Sequence, residues 1–317
     1  DEVIFTAGGT ESNNLCIQGI ALGSPRGKHV ISARTEHSSV LRVLDFLERQ
    51  HGFEISYLPV DEQGRISPTD LSNTLRSDTT LVTLAYANNE VGTIHPVAEL
   101  AAAAASAGVP FHTDAVQAVG WLPIGVKSLG VQALSLSGHK FGAFKGIGVA
   151  YLSSRTRVEP VIHGGGQEQG LRSGTQNVAG AVSLATAIKA VAEASDWQNA
   201  ESLRDDFITS VLTEVPGARQ TGPASGPERH PANASFVFPG VNGETLLLEL
   251  DAQGIVCSSG SACAAGSSDP SHVLIAMGIE DEVATAAVRF TFGHATTAAE
   301  LSEASAKLAA AYRKLTT

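Results

Sequence analysis

Residues 3–13 read Val3-Ile4-Phe5-Thr6-Ala7-Gly8-Gly9-Thr10-Glu11-Ser12-Asn13. Val3–Thr6 is a short β-rich run, Gly8-Gly9 makes a tight turn, and Glu11-Ser12-Asn13 opens a helix. A strand that passes straight into a helix is the building unit of α/β sheets. The alternation continues outward from this stretch. Further β-rich runs occupy Lys28–Arg34, Glu54–Pro59, Thr80–Ala85, Phe111–Asp114, Ala133–Ser137 and Gly148–Tyr151. Helical stretches at Ser38–His51, Ser67–Arg76 and Pro96–Ala107 lie between several of them. The pattern predicts an α/β fold whose large domain carries a mostly parallel seven-stranded sheet.

From about Ala179 an Ala-rich helical stretch runs toward Trp197, and the Gly/Pro-rich segment Pro216–Pro231 reads as an irregular connection. A strand at Ala234–Pro239, a helix near Glu244–Ala252 and a closing helix from Ala298 follow. These predict a smaller α+β C-terminal domain, dividing the chain into residues 1–196 and 197–317.

The 317 residues are 43% hydrophobic and 17% charged, with 32 acidic against 21 basic side chains and a net charge of -11. No basic run stands out, which argues against nucleic acid as a direct partner. The longest apolar stretches, such as Val97 to Ala107, carry charges or are too short to span a bilayer. The cysteines are Cys16, Cys257 and Cys263. So few, and an odd number, make no disulfide framework, and a reducing cytoplasm is expected. The chain enters its first strand directly after Asp1-Glu2, so a missing N-terminal arm is expected ahead of it.

Reactive side chains gather where the strands end. Gly8-Gly9-Thr10 follows the first strand, Thr35-Glu36-His37 the second and Asn88-Asn89-Glu90 the fourth. Asp114 and Gln117 end the fifth, and Ser137-Gly138-His139-Lys140 closes the sixth. Open α/β sheets bind ligands at this edge. Gly8-Gly9-Thr10 ahead of a helix suits a phosphate, although many tight strand-to-helix turns contain glycines. Neither a Walker sequence nor G-x-G-x-x-G follows a strand, so nucleotide readings lack support. Asp114 reads either as a helix N-cap or as the partner of a pyridinium nitrogen. Lys140 is either a surface lysine or, beside Ser137 and His139, a carbonyl-cofactor anchor. His37 is either a satisfied capping histidine or a proton-moving group stacked over a ring. His112, Asp114 and His139 lack any recognised ligand spacing, so no metal is expected.

Read in order, Phe5-Thr6-Ala7-Gly8-Gly9-Thr10-Glu11-Ser12-Asn13-Asn14, Thr35-Glu36-His37, Asn88-Asn89-Glu90-Val91-Gly92 and Asp114-Ala115-Val116-Gln117 lead the chain. Ser137-Gly138-His139-Lys140, His163-Gly164-Gly165-Gly166-Gln167-Glu168, Arg172-Ser173-Gly174-Thr175 and Ser258-Ser259-Gly260-Ser261-Ala262-Cys263 complete it. This series resembles the cysteine desulfurases of the NifS/IscS group, in the class V aminotransferase family, over essentially the whole chain. The resemblance implies the type I fold of pyridoxal-phosphate-dependent transferases. It further implies an enzyme, a sulfurtransferase, that converts L-cysteine to L-alanine and leaves a persulfide on Cys263.

The resemblance assigns roles residue by residue. Lys140 would hold pyridoxal 5'-phosphate covalently and act as base, and Asp114 would pair with the ring nitrogen. His37 would stack on the ring, with Gln117 and Asn89 at its hydroxyl region. Gly9, Thr10, Ser137 and His139 would hold the phosphate, joined by Thr175 from the neighbouring subunit of a homodimer. Arg289, with Asn89, would bind the substrate, its guanidinium gripping the carboxylate. Cys263, in the Gly/Ser-rich segment Ser258 to Gly266, would be the nucleophile, whereas Cys257 ends the apolar run Gly254-Ile255-Val256. Sulfur would pass to acceptor proteins of iron–sulfur cluster assembly or tRNA thiolation. Where the family shows Gly-Pro ahead of Lys-Gly, this chain has Ala143-Phe144 ahead of Lys145-Gly146. The competing readings are a selenocysteine lyase or ordinary class V aminotransferase, and a non-catalytic sulfur-delivery or scaffold subunit.

Overall fold

The computed structural model of the chain describes residues 2–194, 197–259 and 269–316. The chain divides into two compact units, the first comprising Asp1–Pro59, Ile66–Ala87 and His95–Ser195, the second Val60–Arg65, Asn88–Ile94 and Asp196–Thr317.

The first unit holds strands β1 (Val3–Thr6), β2 (His29–Ala33), β3 (Glu54–Leu58), β4 (Thr79–Ala85), β5 (Phe111–Asp114), β6 (Ala133–Ser137) and β7 (Gly148–Leu152). They form one seven-stranded sheet in the order β1-β7-β6-β5-β4-β2-β3. The pairs β2/β3, β2/β4, β4/β5 and β5/β6 are parallel, and only β7 runs against its neighbours. The mostly parallel sheet expected from the alternation is therefore present. Every residue of β2, β4 and β5 is buried, as strands covered on both faces must be.

Helices α1 (Gly9–Gly23), α2 (Ser38–His51), α3 (Pro68–Thr74), α4 (Val97–Ser106), α5 (Val126–Leu129) and α6 (Val178–Ala194) complete this unit. Their ends follow local chemistry. Ser67 caps α3 with Pro68 in its first turn, and α2 stops at Gly52 in the left-handed conformation, its N–H bonded back to Glu48. One core packs Leu15, Ile17 and Ile20 of α1 and Val40, Leu44 and Leu47 of α2 with Val30, Leu81 and Ala133 of the sheet. Another gathers Val119, Phe141, Ile147 and Val149 with Leu184 and Ala187 of α6. Two buried histidines sit inside the sheet with both ring nitrogens on hydroxyls. His29 meets Thr79 Oγ1 at 2.8 Å and Ser56 Oγ at 2.9 Å, and His112 meets Thr83 Oγ1 at 2.8 Å and Ser135 Oγ at 2.9 Å.

The second unit carries helix α7 (Trp197–Glu214), β8 (Arg219–Gln220), β9 (Asn233–Val237), α8 (Gly243–Ala252), β10 (Ser258–Ser259), α9 (His272–Ala276), α10 (Asp281–Ala284), β11 (Ala287–Thr291) and α11 (Ala298–Thr316). Its strands form an antiparallel sheet in the order β10-β11-β9-β8, which gives the expected α+β character. Phe207 of α7 meets Phe236, Phe290 and Phe292 edge-on with ring centroids 5.1 to 6.2 Å apart. Full burial of each such ring stabilises the unit by about 1.5–3 kcal/mol. Beside this cluster the buried Arg229 donates to the carbonyls of Pro223, Thr221 and Asn233, and burial pushes its guanidinium down to about 9.

Candidate active site

The two inner pairings of β7 build one half of the site. Gly148 pairs with Thr6 of β1 on one side and with Ser137 of β6 on the other. The chain leaving β1 therefore passes beside the end of β6. A Cβ on Gly148 would lie 2.7 Å from the Gly8 backbone, so only glycine admits this approach. A Cβ on Gly9 would stand 2.9 Å from Val116 Cγ2 and 3.2 Å from Ser137 Cβ. Gly8 itself, with φ 155, caps α1 without offering a side-chain acceptor to its first turn. Backbone N–H groups, the positive end of a four-turn helix and the Ser137 hydroxyl thus meet in a cradle that a methyl group would fill. That donor set fits a phosphate.

Glu11, in the first turn of α1, would oppose an anion there. Its carboxylate instead accepts the Ala7 N–H at 2.8 Å and pairs with Arg172 Nε at 2.7 Å. Ser137 Oγ lies 3.0 Å from His139 Nδ1. Partial desolvation, and then the Lys140 and Lys145 charges, hold His139 below the ordinary imidazole value, which favours the neutral ring near pH 7. Lys140 is exposed at the end of the 3₁₀ turn Gly138–Lys140 that β6 runs into. In the segment where Ala143-Phe144 replaces the family's Gly-Pro, Ala143 is buried and the Phe144 N–H donates to Ser183 Oγ at 3.0 Å.

The other half lies at the ends of β5 and β2. Asp114 closes β5, paired with Ala85 of β4 and Ser135 of β6. The residue is 8% exposed, and its carboxylate oxygens accept the Val116 N–H at 3.0 Å and the Asn13 amide at 2.7 Å. Both donors are neutral, and among the described residues no counter-ion pairs with the carboxylate. A protonated pyridine nitrogen would supply that counter-charge. His37 caps α2: Nδ1 accepts the Ser39 N–H at 3.1 Å and lies 2.7 Å from Ser39 Oγ. Capping uses only Nδ1, so the capping and ring-stacking readings of His37 are compatible. Gln117 is half-buried just beyond β5, and Thr175 is exposed in the loop that precedes α6.

Asn89 and Arg289 belong to the second unit. Arg289 sits in β11 opposite Ser258 of β10, and its Nη1 donates to the Asn89 carbonyl at 2.9 Å. The two residues assigned to the substrate are thus brought together. Cys263 lies outside the described residues. Burial pushes the thiol of Cys16 up to about 12, and burial followed by the Asp251 charge does the same to Cys257. Among the described residues no group of three or more His, Cys, Asp or Glu side chains could hold a metal ion.

Residues 1–303 match the family model Aminotransferase class-V. The chain is 47% identical over 304 residues to "Cysteine desulfurase IscS" of Dictyoglomus turgidum, covering 95% of this chain and 76% of that protein. The chain belongs to the class-V aminotransferase family, among its cysteine desulfurases. Its fold matches the solved structure of a NifS-like protein with a TM-score of 0.89 at 34% identity, covering 98% of this chain and 82% of the other. The structure titled "SspA in complex with cysteine" superposes with a TM-score of 0.77 at 33% identity, covering 92% and 81%.

Sequence reading assigned no role to two residues that the geometry brings into the site, Asn13 and Ser39. Asn13 lies one turn after Gly9 on the same face of α1, the spacing that carries a side chain toward the edge where Gly9 sits. That signal was available in the sequence.

Proposed function

We propose that this cysteine desulfurase binds pyridoxal 5'-phosphate on Lys140 and moves the sulfur of L-cysteine to Cys263, releasing L-alanine. The observation that supports the cofactor most directly is the pairing of two complementary sites in one unit. The glycine cradle beside Ser137 suits a phosphate, and the Asp114 carboxylate, held among the described residues by two neutral donors, suits a ring cation. When bound, the cofactor supplies an electron sink for the bond that breaks at the substrate's α-carbon.

The chain's own residues do the rest. Gly9, Thr10, Ser137 and His139 hold the phosphate, and Asp114 keeps a proton on the ring nitrogen. His37 stacks on the ring, and Gln117 and Asn89 fix its hydroxyl side. Arg289 grips the substrate carboxylate, a task suited to a planar fork of donors. Lys140 Nζ takes the α-proton and serves later as its source. The Cys263 thiolate attacks the substrate sulfur and forms an S–S bond while the substrate C–S bond breaks. Its electron pair stays with the carbon skeleton, which is protonated and leaves as alanine. Thiols pushed up to about 12 are protonated near pH 7, which counts against Cys16 and Cys257 in this role.

We further infer a homodimer in which Thr175 reaches the neighbour's phosphate, and sulfur acceptors from iron–sulfur assembly or tRNA thiolation. Among the described residues no helix is long and apolar enough to cross a membrane. Borohydride reduction of the loaded protein followed by peptide mapping tests the anchor. A pyridoxyl group on Lys140 is expected, and one on Lys145 would overturn the assignment.

A further inference from the structure

Asp114 and His37 are joined by two side chains. The amide nitrogen of Asn13 donates to Asp114 Oδ2 at 2.7 Å and to Ser39 Oγ at 2.8 Å, and Ser39 Oγ lies 2.7 Å from His37 Nδ1. Asn13 and Ser39 are both buried, at 1% and 8% exposure. The donor order along this chain follows from valence. An amide nitrogen has only donors, so its two protons are committed to Asp114 and to Ser39. The Ser39 oxygen receives a proton from Asn13 and can still either donate or accept at His37, so the backbone cap decides which. The Ser39 N–H points at the same ring nitrogen, 3.1 Å away. With two donors converging on it, Nδ1 is an acceptor and the ring proton sits on Nε2.

We propose that Asn13 and Ser39 are positioning residues that set the state of the cofactor's two ring contacts together. Asn13 fixes the buried Asp114 carboxylate in place by a hydrogen bond. Ser39, which Asn13 also holds, locks His37 as the Nε2–H tautomer, with the edge opposite the cap presented as donor. The inference rests on the assignment of Asp114 and His37 to the cofactor ring. It adds that one amide couples them across 101 residues of sequence between Asn13 and Asp114.

Two variants divide the chain of contacts. Asn13→Ala removes both donations. Ser39→Ala removes the hydroxyl but leaves the Asn13 amide on Asp114 and the backbone cap on His37. Nitrogen-15 spectra of histidine side chains in the cofactor-free protein read the tautomer directly. Wild type is expected to show His37 wholly as Nε2–H, and Ser39→Ala, with the backbone N–H alone left on Nδ1, a detectable share of the other tautomer. Pyridoxal phosphate affinity, read by fluorescence titration, is expected to fall roughly tenfold in Asn13→Ala, the usual worth of a hydrogen bond to a buried charge. Ser39→Ala should stay within about twofold of wild type.

A wild-type His37 protonated on Nδ1, or unchanged tautomers in folded Ser39→Ala, would overturn the proposal. So would wild-type cofactor affinity in Asn13→Ala where Asp114→Ala binds poorly. Asp114→Ala with wild-type affinity would instead sink the ring-nitrogen assignment beneath it, and the proposal with it.

Discussion

The amide of Asn13, on the first helix, stands 2.7 Å from the carboxylate of Asp114, at the end of the fifth strand. Together with the Val116 N–H this gives a buried carboxylate two neutral donors and, among the described residues, no ion pair. Such a group is costly until a cation arrives, as expected of a site prepared for a charged ring rather than for stability.

That cost can be separated from function. Asp114→Asn keeps the size of the side chain and an oxygen for the Val116 N–H, while removing the charge. Its thermal stability without cofactor should lie within about 1 kcal/mol of wild type, because a lost buried charge offsets a weakened hydrogen bond. Its affinity for pyridoxal phosphate should drop by at least about tenfold. Thermal melting and cofactor titration on the same samples check both halves.

The glycine cradle makes a steric prediction. Gly9→Ala would press a methyl group on Val116 and Ser137, and Gly148→Ala would press one on the Gly8 backbone and the Leu136 carbonyl. Overpacking of this kind typically costs about 1–3 kcal/mol. In Gly9→Ala the loss should appear more strongly in binding of the cofactor than of its dephosphorylated form, pyridoxal. Equal losses for the two ligands would show that the turn does not serve the phosphate.

Two buried groups set opposite limbs of the stability–pH curve. Burial lowers His112 from 6.5 to about 3, so it contributes stability that is present above pH 6.5 and is lost as pH falls toward 3. Burial raises Glu36 from 4.5 to about 8, so its contribution is present below pH 4.5 and is lost as pH rises toward 8. Each slope has a limit of about 1.4 kcal/mol per pH unit. Between pH 4.5 and 6.5 they oppose one another and flatten the curve. Glu36→Gln, which keeps an acceptor for the Ala85 N–H, should remove the fall above pH 6.5. His112→Asn should shallow the acid limb. Urea melts across this range measure both.

The shared-site reading of Thr175 predicts complementation. Lys140→Ala and Thr175→Ala chains, each inactive or weak alone, should regain one intact site per mixed dimer when refolded together. That site would draw Lys140 from one chain and Thr175 from the other. Activity of the mixture no greater than the average of the two parents would contradict it.

Much of this was legible because the large sheet is made of local signals. Phe111–Asp114 and Ala133–Ser137 are strands over the residues their β-rich runs mark, and α2 spans Ser38–His51 as its spacing implies. Helix α7 was not foreseen. Its buried Phe207, Ile208 and Val211 follow directly on the charged run Arg204-Asp205-Asp206, and Arg204 is itself buried against the Arg229 carbonyl. Strands β8 and β10 are two residues each, too short for any periodicity, and β11 carries the charged Arg289 at its centre. Val60–Arg65 and Asn88–Ile94 group with the second unit through long-range contacts that no local pattern reports. The link from Asn13 to Asp114 was hidden for the same reason.

The central claim is that sulfur leaves L-cysteine onto Cys263. Purified enzyme loaded with pyridoxal phosphate, given L-cysteine, alkylated and digested, can be mapped by mass spectrometry alongside Cys263→Ser. One added sulfur on the peptide containing Cys263, with neither persulfide nor alanine from Cys263→Ser, is the predicted result. Sulfur on Cys257 or Cys16, or alanine production that survives in Cys263→Ser, would contradict the account.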